Sequence, residues 1–184
     1  MAAASESKTK VTLPSDREIL ITREFDAPRD LVFKAMTDPD LIGRWWGPRN
    51  YETVVDKMDV RPGGTWRFIH RQADGTEFAF RGEYREVVPP ERIVQTFEFE
   101  PMAGHISVET ATFTERDGRT LLTVRSLFAS KEDRDGMIQS GMEKGLRDSR
   151  PVRGAARRAS RGSSERSPLE IPALEIDIRV PASA

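Results

Sequence analysis

The sequence predicts an α+β domain: an antiparallel sheet of about seven strands, with two short helices after its first strand and another helix after its last. Three observations carry that expectation. The apolar spacing is helical between Asp26 and Pro48 and changes to alternation from Tyr51 to Phe128, so a helix pair precedes a run of strands. Asp74-Gly75 and Asp117-Gly118 are tight-turn dipeptides between alternating segments, and each marks an antiparallel hairpin. Aromatic residues recur at alternate positions in those strands, so one sheet face must be covered, which two short helices are too little to do.

The elements follow in order. A polar arm, residues 1–15, reads as disordered, and the domain spans 16–148. Glu18 to Phe25 is the first strand, with Ile19 and Ile21 alternating with Leu20 and Thr22. Asp26-Ala27-Pro28 opens a helix carrying Leu31, Val32, Phe33, Ala35 and Met36, since proline is tolerated in a first turn. Asp38 can cap, and Pro39 can open, a second helix that closes on Trp45-Trp46 and stops at Gly47-Pro48. A tryptophan buries about 150 to 250 Å², so this pair anchors a core or walls a cavity. Strands are expected at Glu52–Val60, Thr65–Arg71, Glu77–Val87, Arg92–Glu100, His105–Glu115 and Arg119–Phe128, punctuated by Arg61-Pro62-Gly63-Gly64 and Pro89-Pro90-Glu91. Ser130 can cap a closing helix from Lys131, with Glu132 and Asp133 in its first turn and Met137, Ile138 and Met142 at helical spacing.

Composition narrows the function classes. In 184 residues, 29 Lys and Arg against 30 Asp and Glu leave a formal net charge of −1, so no global charge draws the folded domain to nucleic acid or to an anionic membrane. The absence of cysteine removes disulfides, thiolate nucleophiles and zinc-thiolate sites. Met1 to Lys10 has no apolar core of a secretory signal, and nowhere do about 18 apolar residues run together. A soluble, cytoplasmic protein with no membrane association is the expectation.

Asp26-Ala27-Pro28, Asp38-Pro39 through Trp45-Trp46-Gly47-Pro48, Arg61-Pro62-Gly63-Gly64, Asp74-Gly75, Arg81-Gly82-Glu83-Tyr84, Pro89-Pro90-Glu91-Arg92 and Gly141-Met142-Glu143-Lys144-Gly145 form an ordered set. In order and spacing it resembles the bacterial family named after the activator of the heat-shock chaperone ATPase. That family lies in the START-like, or polyketide-cyclase-like, SRPBCC superfamily, and the likeness covers about Glu18 to Asp148. The resemblance implies a helix-grip fold: a curved antiparallel sheet around a long C-terminal helix, two short helices after the first strand, and an apolar cavity between sheet and long helix.

No catalytic constellation is visible. His70 and His105 fall on different expected strands without a short-range ligand pattern, so no metal or other cofactor is expected. His70 beside Trp66 and Phe68 could serve as an acid or base, or simply be a hydrogen-bonded strand-end histidine. Arg81 and Glu83, two apart on one strand, could pair at the cavity mouth or form a surface ion pair. No GxSxG elbow and no phosphate-cradling glycine loop occurs. The aromatic surface remains as the informative feature. The candidate cavity residues are Phe33, Trp46, Trp66, Phe68, His70, Phe78, Phe80, Tyr84, Phe97, Phe99, Phe113, Met137 and Met142, with Glu109 as a residue whose removal should matter less. A filled core is the other reading of the same residues. Two functions stand: binding of a small apolar molecule, or a protein-interaction module acting on a chaperone. A cyclase or hydrolase activity of the wider superfamily comes third.

From Ser149 to Ser167 six arginines lie among Pro, Gly, Ala and Ser without apolar periodicity, and 149–184 reads as a disordered tail that could bind nucleic acid or anionic lipid only as a basic arm. Pro168 and Pro172 leave Leu169 to Val180 at most a short edge strand. Read one base forward with free third bases, the codons for Asp148 to Ala159 permit an amphipathic helical peptide that would continue the closing helix, so the tail reads as a frameshift. Each large apolar side chain so restored would contribute about 1.5 to 3 kcal/mol. A version carrying the alternative ending should therefore melt clearly higher than this chain in calorimetry; a gene that is in frame throughout, with a product melting no lower than that version, would refute the frameshift.

Overall fold

The computed structural model describes residues 8–48, 50–140 and 175–178. Among the described residues nine strands form one sheet: β1 (Lys8–Thr12), β2 (Glu18–Phe25), β3 (Glu52–Met58), β4 (Thr65–Arg71), β5 (Glu77–Val88), β6 (Arg92–Phe99), β7 (Ile106–Arg116), β8 (Arg119–Leu127) and β9 (Glu175–Ile178). Helices α1 (Arg29–Thr37) and α2 (Pro39–Trp45) follow β2, and α3 (Lys131–Gln139) follows β8. The strand order is β3-β4-β5-β6-β7-β8-β2-β1-β9, antiparallel at each pairing except β1 with β9.

This order explains the helix pair. β2 stands beside β8, whereas the next strand, β3, forms the far edge, six strand spacings away. At about 4.8 Å per spacing the chain must cross roughly 29 Å of a flat sheet, or less of a curved one. Two helices of nine and seven residues supply much of that reach at about 1.5 Å per residue. They also cover the face they cross, α1 against β7 and β8 and α2 against β3. The turn chemistry is local: the Asp38 side chain accepts from the Asp40 amide with Pro39 in the first turn, and the Ser130 hydroxyl accepts from the Asp133 amide at 3.1 Å. Asp117 and Gly118 both take left-handed φ, 53° and 73°, as a two-residue hairpin turn requires.

Strand register sorts the side chains into an inner face, beneath the helices, and an outer face. Across the inner face run Phe68–Phe80–Phe99, Tyr84–Gln95–Glu109–Ser126–Ile19 and Ile93–Ala111–Val124–Ile21–Val11. One core cluster joins Val32, Phe33, Ile42, Trp66, Phe68, Tyr84, Ile93 and Phe113. A second, smaller one joins Val11, Ile19 and Phe128, with Met137 and Ile138 of α3 packed against it. His105 Nδ1 meets Asp133 Oδ1 at 2.5 Å and Arg134 donates to the Ser15 carbonyl at 2.9 Å, which ties α3 to the start of β7 and to the β1–β2 turn.

The expected fold class, helix pair and seven strands are observed, and the count rises to nine. The disordered-arm reading needs correction over Lys8–Thr12: Thr9 and Val11 are buried and Lys10 is exposed, so the alternation is that of a strand. Within the tail, Glu175–Ile178 forms a short edge strand on β1, in line with the limit set by Pro168 and Pro172. The rest of the tail, and the expected continuation of the closing helix beyond Ser140, lie outside the described residues.

Candidate functional site: the aromatic inner face

The Trp45-Trp46 pair divides its work. Trp45 Nε1 donates to the Ala35 carbonyl at 2.9 Å and fastens α2 to α1. The Trp46 ring turns to the sheet, with its centroid 5.1 Å from Phe68, 4.8 Å from His70 and 5.2 Å from Phe80. The Thr53 hydroxyl donates to the Trp46 carbonyl at 2.6 Å and fixes the end of α2 to β3. Two glycines make room. A Cβ at Gly47, which also has φ +86°, would run into the His70 imidazole. A Cβ at Gly82 would come within 2.6 Å of Trp66 Nε1, so the indole lies flat over bare backbone.

Ring contacts link most of the expected residues. Trp66 meets Phe68 and Phe97, Phe80 meets Phe97 and Phe99, and Phe78 meets Phe99. Phe33 of α1 meets Phe113 edge-on at 5.2 Å, and Tyr84 is buried in the same core. Trp66, Phe68 and Phe113 are buried, whereas Trp46, Phe78, Phe80, Phe97 and Phe99 remain partly accessible. Met137 is not brought to this set: it packs at the β1–β2 side, on the second cluster. Met142 lies outside the described residues. Tyr51, which sequence reasoning passed over because it precedes the strand, stacks near His70 at 5.4 Å and Phe78 at 6.2 Å.

Polar groups fall differently from expectation. Arg81 pairs across strands with Glu98 at 2.5 Å rather than with Glu83, on the outer face, because cross-strand neighbours stand closer than residues two apart on one strand. Arg67 reaches Glu100 and Asp56 beside it, and with Glu98 and Ile106 these arginines border an open groove of about 300 Å³. Glu109 lies on the inner face, between Gln95 and Ser126. It therefore shares a face with the expected cavity residues and is no remote reference for them. Strand parity with Phe113 was the signal that could have placed it. Among the described residues no cluster of His, Asp or Glu could hold a metal ion, and no helix is long and apolar enough to cross a membrane.

His70 is buried among Trp46, Tyr51 and Phe80, and its Nε2 has no hydrogen-bond partner among the described residues. Burial lowers its pKa from 6.5 to about 4, because the imidazolium would lose its hydration. As the pH falls through 6.5 the unfolded chain takes up this proton, but the folded chain does not until about 4. Stability should thus be full above 6.5 and fall as the pH drops toward 4, by on the order of 3 kcal/mol from this group. Urea unfolding across that range should show the loss in the wild type and much less of it in His70→Phe; parallel pH profiles would contradict the assignment.

The geometry can be set beside known proteins. The family model described as Activator of Hsp90 ATPase homolog 1-like protein matches residues 26–149. Among solved structures, protein Ms6760 from Mycobacterium smegmatis is 29% identical with a TM-score of 0.64, over 73% of this chain and 87% of that one. A protein from Arthrobacter aurescens is 26% identical with a TM-score of 0.68, over 75% and 84%. A protein from Rhodobacter sphaeroides, 20% identical, has a TM-score of 0.72 over 77% and 92%, a likeness of fold alone. No curated protein matches the chain. The family match takes in both short helices, the aromatic strands and α3, and the chain belongs to the family of Activator of Hsp90 ATPase homolog 1-like proteins.

Proposed function

We propose that the inner face binds a small, largely apolar molecule, and that the domain works as a binding module rather than through catalytic groups of its own. The observation that supports this most is the graded exposure of one aromatic set. Trp66 and Phe68 are sealed in the core, while Trp46, Phe78, Phe80, Phe97 and Phe99, in ring contact with them or with each other, keep accessible surface. Aromatic surface held rigidly by a sheet loses little entropy on meeting a flat apolar ligand. His70 offers little as an acid or base, since it stays neutral down to about pH 4 and is packed between rings.

The family's name supports a second reading, an interaction with a heat-shock chaperone. The two readings place different demands on the molecule: a small ligand needs the inner face, and a protein partner needs an exposed surface.

Titration with the neutral fluorophore N-phenyl-1-naphthylamine separates them. Phe80→Ala should weaken its binding by about tenfold or more, as expected for removing a large apolar contact, and Phe80→Leu by less. Thr114→Ala, on an exposed β7 position, should leave it unchanged. Equal affinities in Phe80→Ala and Thr114→Ala would overturn the pocket, and absence of probe binding together with co-purification of a heat-shock chaperone would favour the second reading.

A further inference from the structure

The inner face is not uniformly apolar. Glu109 projects from β7 into it, in the row Tyr84–Gln95–Glu109–Ser126, with aromatic residues toward one side and Ile93, Ala111 and Val124 in the next row. Gln95 Nε2 donates to one carboxylate oxygen at 3.1 Å, and the Ser126 hydroxyl to the other at 3.3 Å. Both donors are neutral. Among the described residues they orient the carboxylate without balancing its charge, and burial pushes its pKa up. Arg23 shares the face, yet it stands two rows away, with its guanidinium 4.7 Å from the centre of the Phe25 ring.

A merely structural link between β6, β7 and β8 would be served as well by an amide, which carries no charge to desolvate. A carboxylate held in place by neutral donors, beside aromatic rings, is instead complementary to a cation: it accepts a charge-assisted hydrogen bond while ring faces favour the same positive group. We propose that the ligand of the inner face is an apolar molecule carrying a protonated amine, with its ammonium on Glu109 and its apolar body on the rings around Phe80 and Phe97. This rests on the reading of the inner face as a binding site. It adds the chemical class of the ligand, and the bond geometry adds the direction: the ammonium donates to the Glu109 oxygens, which already accept from Gln95 and Ser126 and have lone pairs to spare.

The test compares three probes with one ring and different heads, 2-(1-naphthyl)ethylamine, 2-(1-naphthyl)ethanol and 1-naphthylacetic acid, by calorimetry at pH 7 on the full chain and on Glu109→Gln. Glutamine keeps the shape of the position and can still accept through its carbonyl oxygen, and it removes a half-buried charge, so the variant should fold. The wild type should bind the amine about tenfold more tightly than the alcohol, the usual scale of one charge-assisted bond, and the acid most weakly. In Glu109→Gln the amine should fall to the alcohol's affinity while the alcohol is unchanged. Equal binding of amine and alcohol by the wild type, or a preference that survives in Glu109→Gln, would overturn the ammonium assignment and leave the apolar site standing. Binding of none of the three would remove the apolar site as well.

Discussion

The seating of Trp46 on Phe68, His70 and Phe80 is the interaction on which the described structure depends. A sheet with aromatics on one face must have that face covered, and here the covering chain comes from the crossing between β2 and the far-edge strand β3. Trp46 stands at the end of that crossing. Its ring packs on side chains of the paired strands β4 and β5, its carbonyl is tied to β3 by Thr53, and its neighbour Trp45 ties the same helix back to α1. Gly47 follows because no side chain fits against His70 there. The end of α2, the edge strand β3 and the aromatic cluster thus meet at one residue.

The two faces of the sheet are held by different physics. The outer face carries cross-strand ion pairs, Arg67 with Asp56 and Glu100, Arg71 with Glu52 and Glu77, Arg92 with Glu86. The pairs of Arg71 and Arg92 are solvent-screened and Arg67–Glu100 is half-buried, so as a set they bias register more than they carry stability. Glu98 differs. It is buried, and Arg81 followed by the Gly104 amide holds its carboxyl below the usual carboxylate range. The inner face is held by packing; desolvation is the largest influence on the Glu109 carboxyl there, whereas the hydrogen bonds to their partners dominate for the outer pairs.

What could be read from the sequence was what local chemistry encodes. Asp38-Pro39 and Ser130 are caps whose partners lie within three residues, and the aspartate-glycine turns need only their own backbone, so these elements stood out. The aromatic face was legible because alternate positions fix parity within a strand. Register between strands was not legible, and the errors follow from that. Arg81 was paired with a residue of its own strand when its partner lay across the sheet in Glu98. Glu109 has the parity of Ala111 and Phe113, but its charge argued for solvent, and only Gln95 and Ser126 beside it reveal the inner position. Lys8 and Lys10 disguised a strand as an arm, since burial of Thr9 and Val11 depends on pairing with β2.

The central claim is that the inner face, not the outer groove, receives an apolar ligand. Intermolecular nuclear Overhauser effects between N-phenyl-1-naphthylamine and isotope-labelled protein address it directly, because side-chain protons report which face is touched. Contacts from the probe to the Trp46, Phe80 and Phe97 rings are the expected result. Contacts confined to Arg81, Ile106 and their neighbours around the outer groove would contradict it.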